Sequence, residues 1–433
     1  MAKPAANSFT ANGRAYRPPA RPVVVICLDG SADEYLDNAL ARGRMPNLQA
    51  MSVRGYRGLA RGALPSFTNV NNASIVTGVP PKAHGISGNF FYDTQTGEEV
   101  MMNSARYLRC ETILAAAAQA GRKVAVVTAK EKLRDIFSAG LIAQLLARPG
   151  SGSFQVPGSG AGIAFSSEKA DQARAETHGI DQVEKLVGHP TPPIYSAESS
   201  LYVLRAGVAL LERGMADFLY LSTTDFVQHK HSPEAPESLD FYAAIDAELG
   251  RLLDRGAIIG LTADHGMNAK QKPDGEPNVL YLESLLAERF GPGHRVLLPI
   301  TDPYVKHHGA LGSFAVVYLP DRSMTDKVAS WLMSFEMITE VHDRDSAARK
   351  LELPADRIGD LVVMTGRDAV LGRTPAHHDL SALEGPLRSH GGRYEEMVPF
   401  IVSGALQSGY AATAAGDPRN FDIFDFTVNG TQP

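Results

Sequence analysis

Cysteine is nearly absent: Cys27 and Cys110 are the only two in 433 residues. Two thiols can build neither a disulfide framework nor a cysteine-rich zinc site, so any metal must be held by Asp and His. Long apolar runs are missing as well. No segment approaches the ~18 apolar residues that mark a transmembrane helix, and the reading is of a protein that does not enter a membrane. The N-terminal stretch MAKPAANSFTANGRAYRPPARP lacks the apolar core of a secretory signal, so a cytoplasmic location is the expectation. There is no surplus of positive charge either: 42 Lys+Arg stand against 48 Asp+Glu, a formal net charge of -6. That removes the broad basic surface on which non-specific nucleic-acid binding relies. Hydrophobic residues make up 44% and charged residues 21%, proportions of a globular chain with room for a full core.

Several short continuous apolar runs read as buried parallel strands: 22–28 (PVVVICL), 123–128 (KVAVVT), 218–222 (FLYLS), 257–262 (AIIGLT) and 361–365 (LVVMT). Helical patterns lie between them over 111–120, 199–212 and 236–255, each followed closely by Gly. Strand–helix alternation predicts an α/β fold, with a largely parallel central sheet flanked by helices. Residues 149–198 are rich in Gly, Ser and Pro and read as an excursion with little core. Residues 271–359 read as a smaller inserted α+β cap, leaving 20–270 and 360–433 as the core and 1–19 as a flexible or surface-hugging leader.

Ligands of such sheets gather beyond the carboxyl ends of the strands. Four runs deliver polar residues there: Asp29 after the first, Lys130 and Lys132 after the second, Asp225 after the third, Asp264-His265-Gly266 after the fourth. Asp225 and His229 are four apart, one helical turn, and can grip a single ion. Taken alone, each piece has a plainer reading: a surface Asp near a turn, a helix cap, two solvated lysines. Thr68, in Leu64-Pro65-Ser66-Phe67-Thr68-Asn69, falls at the start of a helical pattern. There a hydroxyl either caps the helix or gains as a nucleophile from its positive end. Asn89 offers an amide, His390 lies in Ser389-His390-Gly391, and His307, His308, His377 and His378 compete as loop histidines.

The order of the pieces is more specific than any one of them. Aspartate after the first strand, Pro-x-x-Thr, His-Gly-x-x-x-Asn, Asp-x-x-x-His, Ala-Asp-His-Gly-Met and Ser-His-Gly-Gly together resemble the alkaline phosphatase superfamily, in its nucleotide pyrophosphatase/phosphodiesterase-like branch. Within that branch, TAKEKLRDIF and LPSFTNVNNASIVTG resemble the phosphonoacetate hydrolases. The resemblance implies two zinc ions, other divalent metals being admissible. Asp225, His229 and His390 match the ligands of one. Asp29, Asp264 and His265 match those of the other, which also binds the nucleophile Thr68. It implies that Asn89 steadies the phosphoryl oxygens and that Lys130 and Lys132 surround a small anionic substrate. Three Asp and three His carry about -3 against +4, a cationic site suited to a dianion. The implied reaction is cleavage of the carbon–phosphorus bond of phosphonoacetate through a phospho-threonine. A phosphodiesterase or nucleotide pyrophosphatase is the alternative within the superfamily, and a binding module that kept the fold is the non-catalytic one. Sulfatases fit poorly because Ser66-Phe67-Thr68-Asn69 lacks their signature, and Ser66 is the competing hydroxyl. A homodimer is left open.

Overall fold

The computed structural model describes residues 8–142, 144–147, 153–156, 162–301, 309–381, 383 and 385–432. Seven strands form the main sheet: β1 (Val23–Cys27), β2 (Tyr56–Arg61), β3 (Val124–Thr128), β4 (Gly162–Ser166), β5 (Phe218–Ser222), β6 (Ile258–Thr262) and β7 (Met397–Val402). Their spatial order is β4-β3-β5-β1-β6-β7-β2. The first five run parallel. The last two join antiparallel at one side. Residues alternate across β1: Val23, Val25 and Cys27 enter one apolar core, while Val24 and Ile26 enter the other. Both faces are therefore covered, which is why the run is continuous rather than alternating. A fully buried Val or Ile side chain is worth about 1.5–3 kcal/mol, so burial fixes the strands before any polar residue at their ends is placed.

The helices around this sheet include α1 (Thr68–Thr77), α2 (Glu131–Phe137), α3 (Ala197–Glu212), α4 (Phe226–Lys230) and α5 (Pro236–Asp254). α3 starts at Ser196, whose side chain accepts from the Ser199 N–H, and α5 opens on Pro236. Both pack on one face of the sheet, and α1 covers the other. None of the described helices is long and apolar enough to cross a membrane.

Three expectations change. The run Leu361–Thr365 belongs not to the main sheet but to a four-stranded antiparallel one, between Phe314–Tyr318 and Ile338–Asp343, with Arg295–Leu297 at its edge. All five of its residues are buried, and a strand covered on both faces carries the same signature in either kind of sheet. The excursion at 149–198 contains β4, a fully buried edge strand of the main sheet. The leader includes a hairpin, Phe9–Ala11 with Arg14–Tyr16, whose Phe9 and Tyr16 are buried in the core. Its turn, Asn12-Gly13, has positive φ at both positions (50° and 83°), the conformation that Asn-Gly favours in a two-residue hairpin.

His84 shows how the core holds a polar group. Its Nδ1 accepts the Ile86 N–H at 3.1 Å, so Nε2 carries the proton and donates to Ser74 Oγ at 2.8 Å. Burial, with Arg357 nearby, pushes its pKa down to about 3. Since the unfolded chain protonates His84 near 6.5, the stability this neutral ring contributes is complete above 6.5 and drains away as pH falls toward 3. Urea unfolding between pH 6 and 4 is expected to show a slope about 1.4 kcal/mol per pH unit steeper in the native protein than in His84→Gln. Parallel slopes would remove His84 as an acid-labile point.

Candidate active site

The carboxyl ends of β1, β3, β5 and β6 converge. Asp29 is the second residue beyond β1, Lys130 the second beyond β3, and Asp264 the second beyond β6, followed at once by His265. Asp225 precedes α4, whose single turn carries His229 back over it. His390 arrives on the loop after a two-residue strand, Arg388–Ser389, that pairs with Asn268–Ala269 just past His265.

These residues form two clusters, Asp29-Asp264-His265 and Asp225-His229-His390, in each of which one ligand-type atom per residue lies within 4.8 Å of the others. All six are buried. The clusters share a wall, because the His265 and His390 rings stack at 3.5 Å between centroids and 7° between planes. Each imidazole is oriented by a backbone carbonyl. His229 Nδ1 donates to Arg388 O (2.8 Å), His265 Nδ1 to Gly266 O (2.9 Å), and His390 Nδ1 to Ser66 O (2.7 Å). With Nδ1 committed to a carbonyl in all three, Nε2 is the nitrogen each ring turns toward the clusters, the arrangement found at metal-ligating histidines.

The carboxylates are held unequally. Asp264 Oδ1 accepts from the N–H groups of Gly30 (3.2 Å) and His265 (3.0 Å), and its Oδ2 accepts from Asn72 Nδ2 (3.0 Å). Asp225 meets Lys130 Nζ at 3.0 Å and His229 Nε2 at 3.0 Å. Burial opposes its ionisation, but Lys130 and His229 outweigh that and keep its carboxyl well below the usual range. Asp264 moves the other way, raised by burial and by the adjacent Asp29 carboxylate. Asp29 itself is fully buried, and neither of its oxygens has a hydrogen-bond partner. Burying an unpaired carboxylate costs several kcal/mol unless a cation compensates it. The nearest cationic groups are His265 Nε2, 3.3 Å from Oδ1, and Lys130 Nζ, 3.7 Å from Oδ2. A buried carboxylate without hydrogen bonds, set beside the Asp264 carboxylate and His265 Nε2, fits a divalent ion.

Thr68 is the first residue of α1, and Phe67 is its cap, with no side-chain capping bond. The hydroxyl is therefore not spent on the helix, and Oγ1 lies 3.4 Å from His265 Nε2. Asn89 Oδ1 accepts the Asn69 N–H at 3.0 Å, which leaves its NH2 as the end able to donate to a ligand. Ser66, the competing hydroxyl, donates to Gly392 O at 3.0 Å and is fully buried, out of the chemistry. Lys132 is half-buried in the first turn of α2. His377 and His378 are engaged elsewhere, His378 accepting from the Arg373 N–H at 2.8 Å. His307 and His308 lie outside the described residues.

Sequence reasoning missed Asn72, Tyr220 and Ser222, which stand behind the site. Only the spacing of Asn72, one helical turn after Thr68, could have signalled the first.

A largely parallel sheet with helices on both faces and two Asp/His clusters at its carboxyl edge defines a class, and comparison agrees with it. The chain belongs to the type I phosphodiesterase/nucleotide pyrophosphatase family, whose model matches residues 23–393. More particularly, it is 47% identical to phosphonoacetate hydrolase from Sinorhizobium meliloti 1021, crystallised in complex with phosphonoformate. The two superpose with a TM-score of 0.90 over 98% of each chain. A second crystal structure of that enzyme, in complex with phosphonoacetate, aligns equally well. Murine ectonucleotide pyrophosphatase/phosphodiesterase 5 shares the fold at 15% identity, with a TM-score of 0.57 over 95% of this chain and 96% of its own. A 78-residue stretch is 40% identical to an uncharacterized pyrophosphatase/phosphodiesterase of Schizosaccharomyces pombe, spanning 18% of this chain and only 15% of that protein.

Proposed function

We propose that this chain is a metal-dependent hydrolase that cleaves the carbon–phosphorus bond of phosphonoacetate to acetate and phosphate. The observation that carries the reading is the Thr68 hydroxyl, free of any capping role, set 3.4 Å from His265 Nε2 at the edge of the Asp29-Asp264-His265 cluster. Asp29, Asp264 and His265 would hold one ion and Asp225, His229 and His390 the other. Mixed carboxylate and imidazole donors suit zinc. When bound, such ions supply positive charge that lowers the pKa of a neighbouring hydroxyl and offsets a phosphoryl dianion.

The chain's own residues do the rest. Thr68 gives its hydroxyl proton to water as Oγ1 attacks phosphorus and the P–C bond breaks, and the bonding pair passes to the methylene carbon. That carbon's charge spreads onto the adjacent carboxylate, and a proton from water completes acetate. Water then cleaves phospho-Thr68 to release phosphate and restore the hydroxyl. Asn89 NH2 donates to a phosphoryl oxygen. Lys130 and Lys132 stabilise the developing enolate, since cations placed there bind the transition state more tightly than the ground state. Lys130 already sets its ammonium between the clusters, 3.0 Å from Asp225 and 3.7 Å from Asp29.

The family model favours a second reading, hydrolysis of nucleotide phosphodiesters. Phosphate release from phosphonoacetate, measured beside cleavage of a p-nitrophenyl nucleotide ester, separates the two. The expected result is a kcat/KM at least ~100-fold higher for phosphonoacetate, with Lys132→Met losing most of that preference. A preference for the nucleotide ester would favour the second reading. Equal losses on both substrates in Lys132→Met would end the carboxylate-binding role.

A further inference from the structure

Asn72 lies in the first turns of α1, fully buried, where an asparagine is a poor helix former. Its amide explains its presence. One side faces two acceptors: Nδ2 donates to Thr68 O and to Asp264 Oδ2, each at 3.0 Å. The other faces two hydroxyls: Oδ1 accepts from Tyr220 OH at 2.6 Å and from Ser222 Oγ at 3.0 Å. Two donors and two acceptors are the full capacity of a primary amide. The arrangement admits one orientation, because a flip would press the carbonyl against a carboxylate and a backbone oxygen. Tyr220 and Ser222 sit two apart on β5 and so share one face of the sheet. The amide thus ties three elements together: the helix that carries Thr68, the β6 end that carries Asp264, and the rigid strand behind both.

We propose that Asn72 is a positioning residue that locks the Thr68 helix to Asp264 and so sets how the Thr68 oxygen meets the Asp29-Asp264-His265 cluster. This rests on the reading of those residues as nucleophile and ion ligands. The bond to Asp264 Oδ2 decides which lone pairs of that carboxylate remain for an ion, since Oδ1 already accepts two backbone N–H groups. The bond to Thr68 O fixes the first turn of α1, from which the nucleophile projects. Outer partners of this kind commonly change metal affinity or activity by about 10–100-fold. Small misplacements of reacting groups cost about as much.

The test compares wild type, Asn72→Leu and Tyr220→Phe, each stripped with chelator and titrated with zinc. Ions bound per chain, melting temperature, and kcat and KM at saturating zinc are measured. Wild type is expected to take up two ions. Asn72→Leu should take up one with wild-type affinity and the second at least ~10-fold more weakly, with kcat at saturation down ~10–100-fold and KM little changed. Tyr220→Phe keeps the amide but loosens it from behind, and should lose kcat by a few-fold with both ions retained. A lower melting temperature in Asn72→Leu with second-ion affinity and kcat unchanged would mean a purely structural role and overturn the proposal. If Asn72→Leu fails to fold, Tyr220→Phe decides, and an unaltered kcat there overturns it. Wild type binding fewer than two ions would bring down the ligand reading and this inference with it, whereas two ions bound with no effect of either variant would bring down this inference alone.

Discussion

Thr68→Ala is expected to lower turnover of phosphonoacetate by about 10⁴-fold or more while leaving bound metal and melting temperature nearly unchanged. The size follows from removing the atom that forms the covalent bond, since losing a nucleophile forfeits far more than losing one contact. The specificity of the effect follows from the local structure. Phe67, not Thr68, caps α1, so no capping energy is lost, and Ala is the best helix former for the vacated position. Asp264 and His265 keep their supports in the Gly30 and His265 N–H groups and the Gly266 carbonyl. Thr68→Ser should retain measurable turnover, because the oxygen remains. Phosphate release within tenfold of wild type from Thr68→Ala would mean that the nucleophile lies elsewhere, and a parallel loss of metal would mean that Thr68 is chiefly a ligand.

The second large effect concerns Asp29. Chelation should abolish phosphate release, and readdition of zinc should restore it. Asp29→Asn should cut bound metal from about two ions per chain toward one and lower activity by about 10³-fold or more. A further, less obvious result comes from the burial of Asp29 with neither oxygen hydrogen-bonded. Without ions Asp29, Asp225 and Asp264 crowd three buried carboxylates around Lys130 and the cluster histidines, and Asp29→Asn removes one of them. The chelated variant should therefore melt above the chelated wild type, although the loaded variant melts below the loaded wild type. Calorimetry on the four samples checks this. A variant less stable in both states would show that Asp29 is stabilised by something other than a cation.

Much of this site could be read from the sequence, for a physical reason. Buried parallel strands are short and uniformly apolar, so the first charged residue after each one marks the sheet's carboxyl edge. Asp29, Asp225 and Asp264 were visible in that way. What hid is equally systematic. Leu361–Thr365 carries the same apolar signature, but sheet membership depends on partners far away in the chain. β2 and β7, the antiparallel pair at the side of the sheet, lack that uniform signature, since Leu59 and Met397 are exposed. β4 was masked by its Gly- and Ser-rich surroundings. The orienting carbonyls of Arg388, Gly266 and Ser66 carry no residue-type signal at all. Asn72 reads as an ordinary helix residue until the strand behind it is in place.

The shared wall between the clusters has a temporal side. On the proposed ligand set, Asp29, Asp264 and His265 have all been synthesised once residue 265 leaves the ribosome, whereas the other set waits for His390. His390 brings more than its own nitrogen, since its ring closes over His265. His390 is thus the last of the six in the chain, and it serves both clusters, one through its nitrogen and the other through its ring. A change that displaces His390 would therefore be felt at both clusters, at one through a lost nitrogen and at the other through the ring lost from His265.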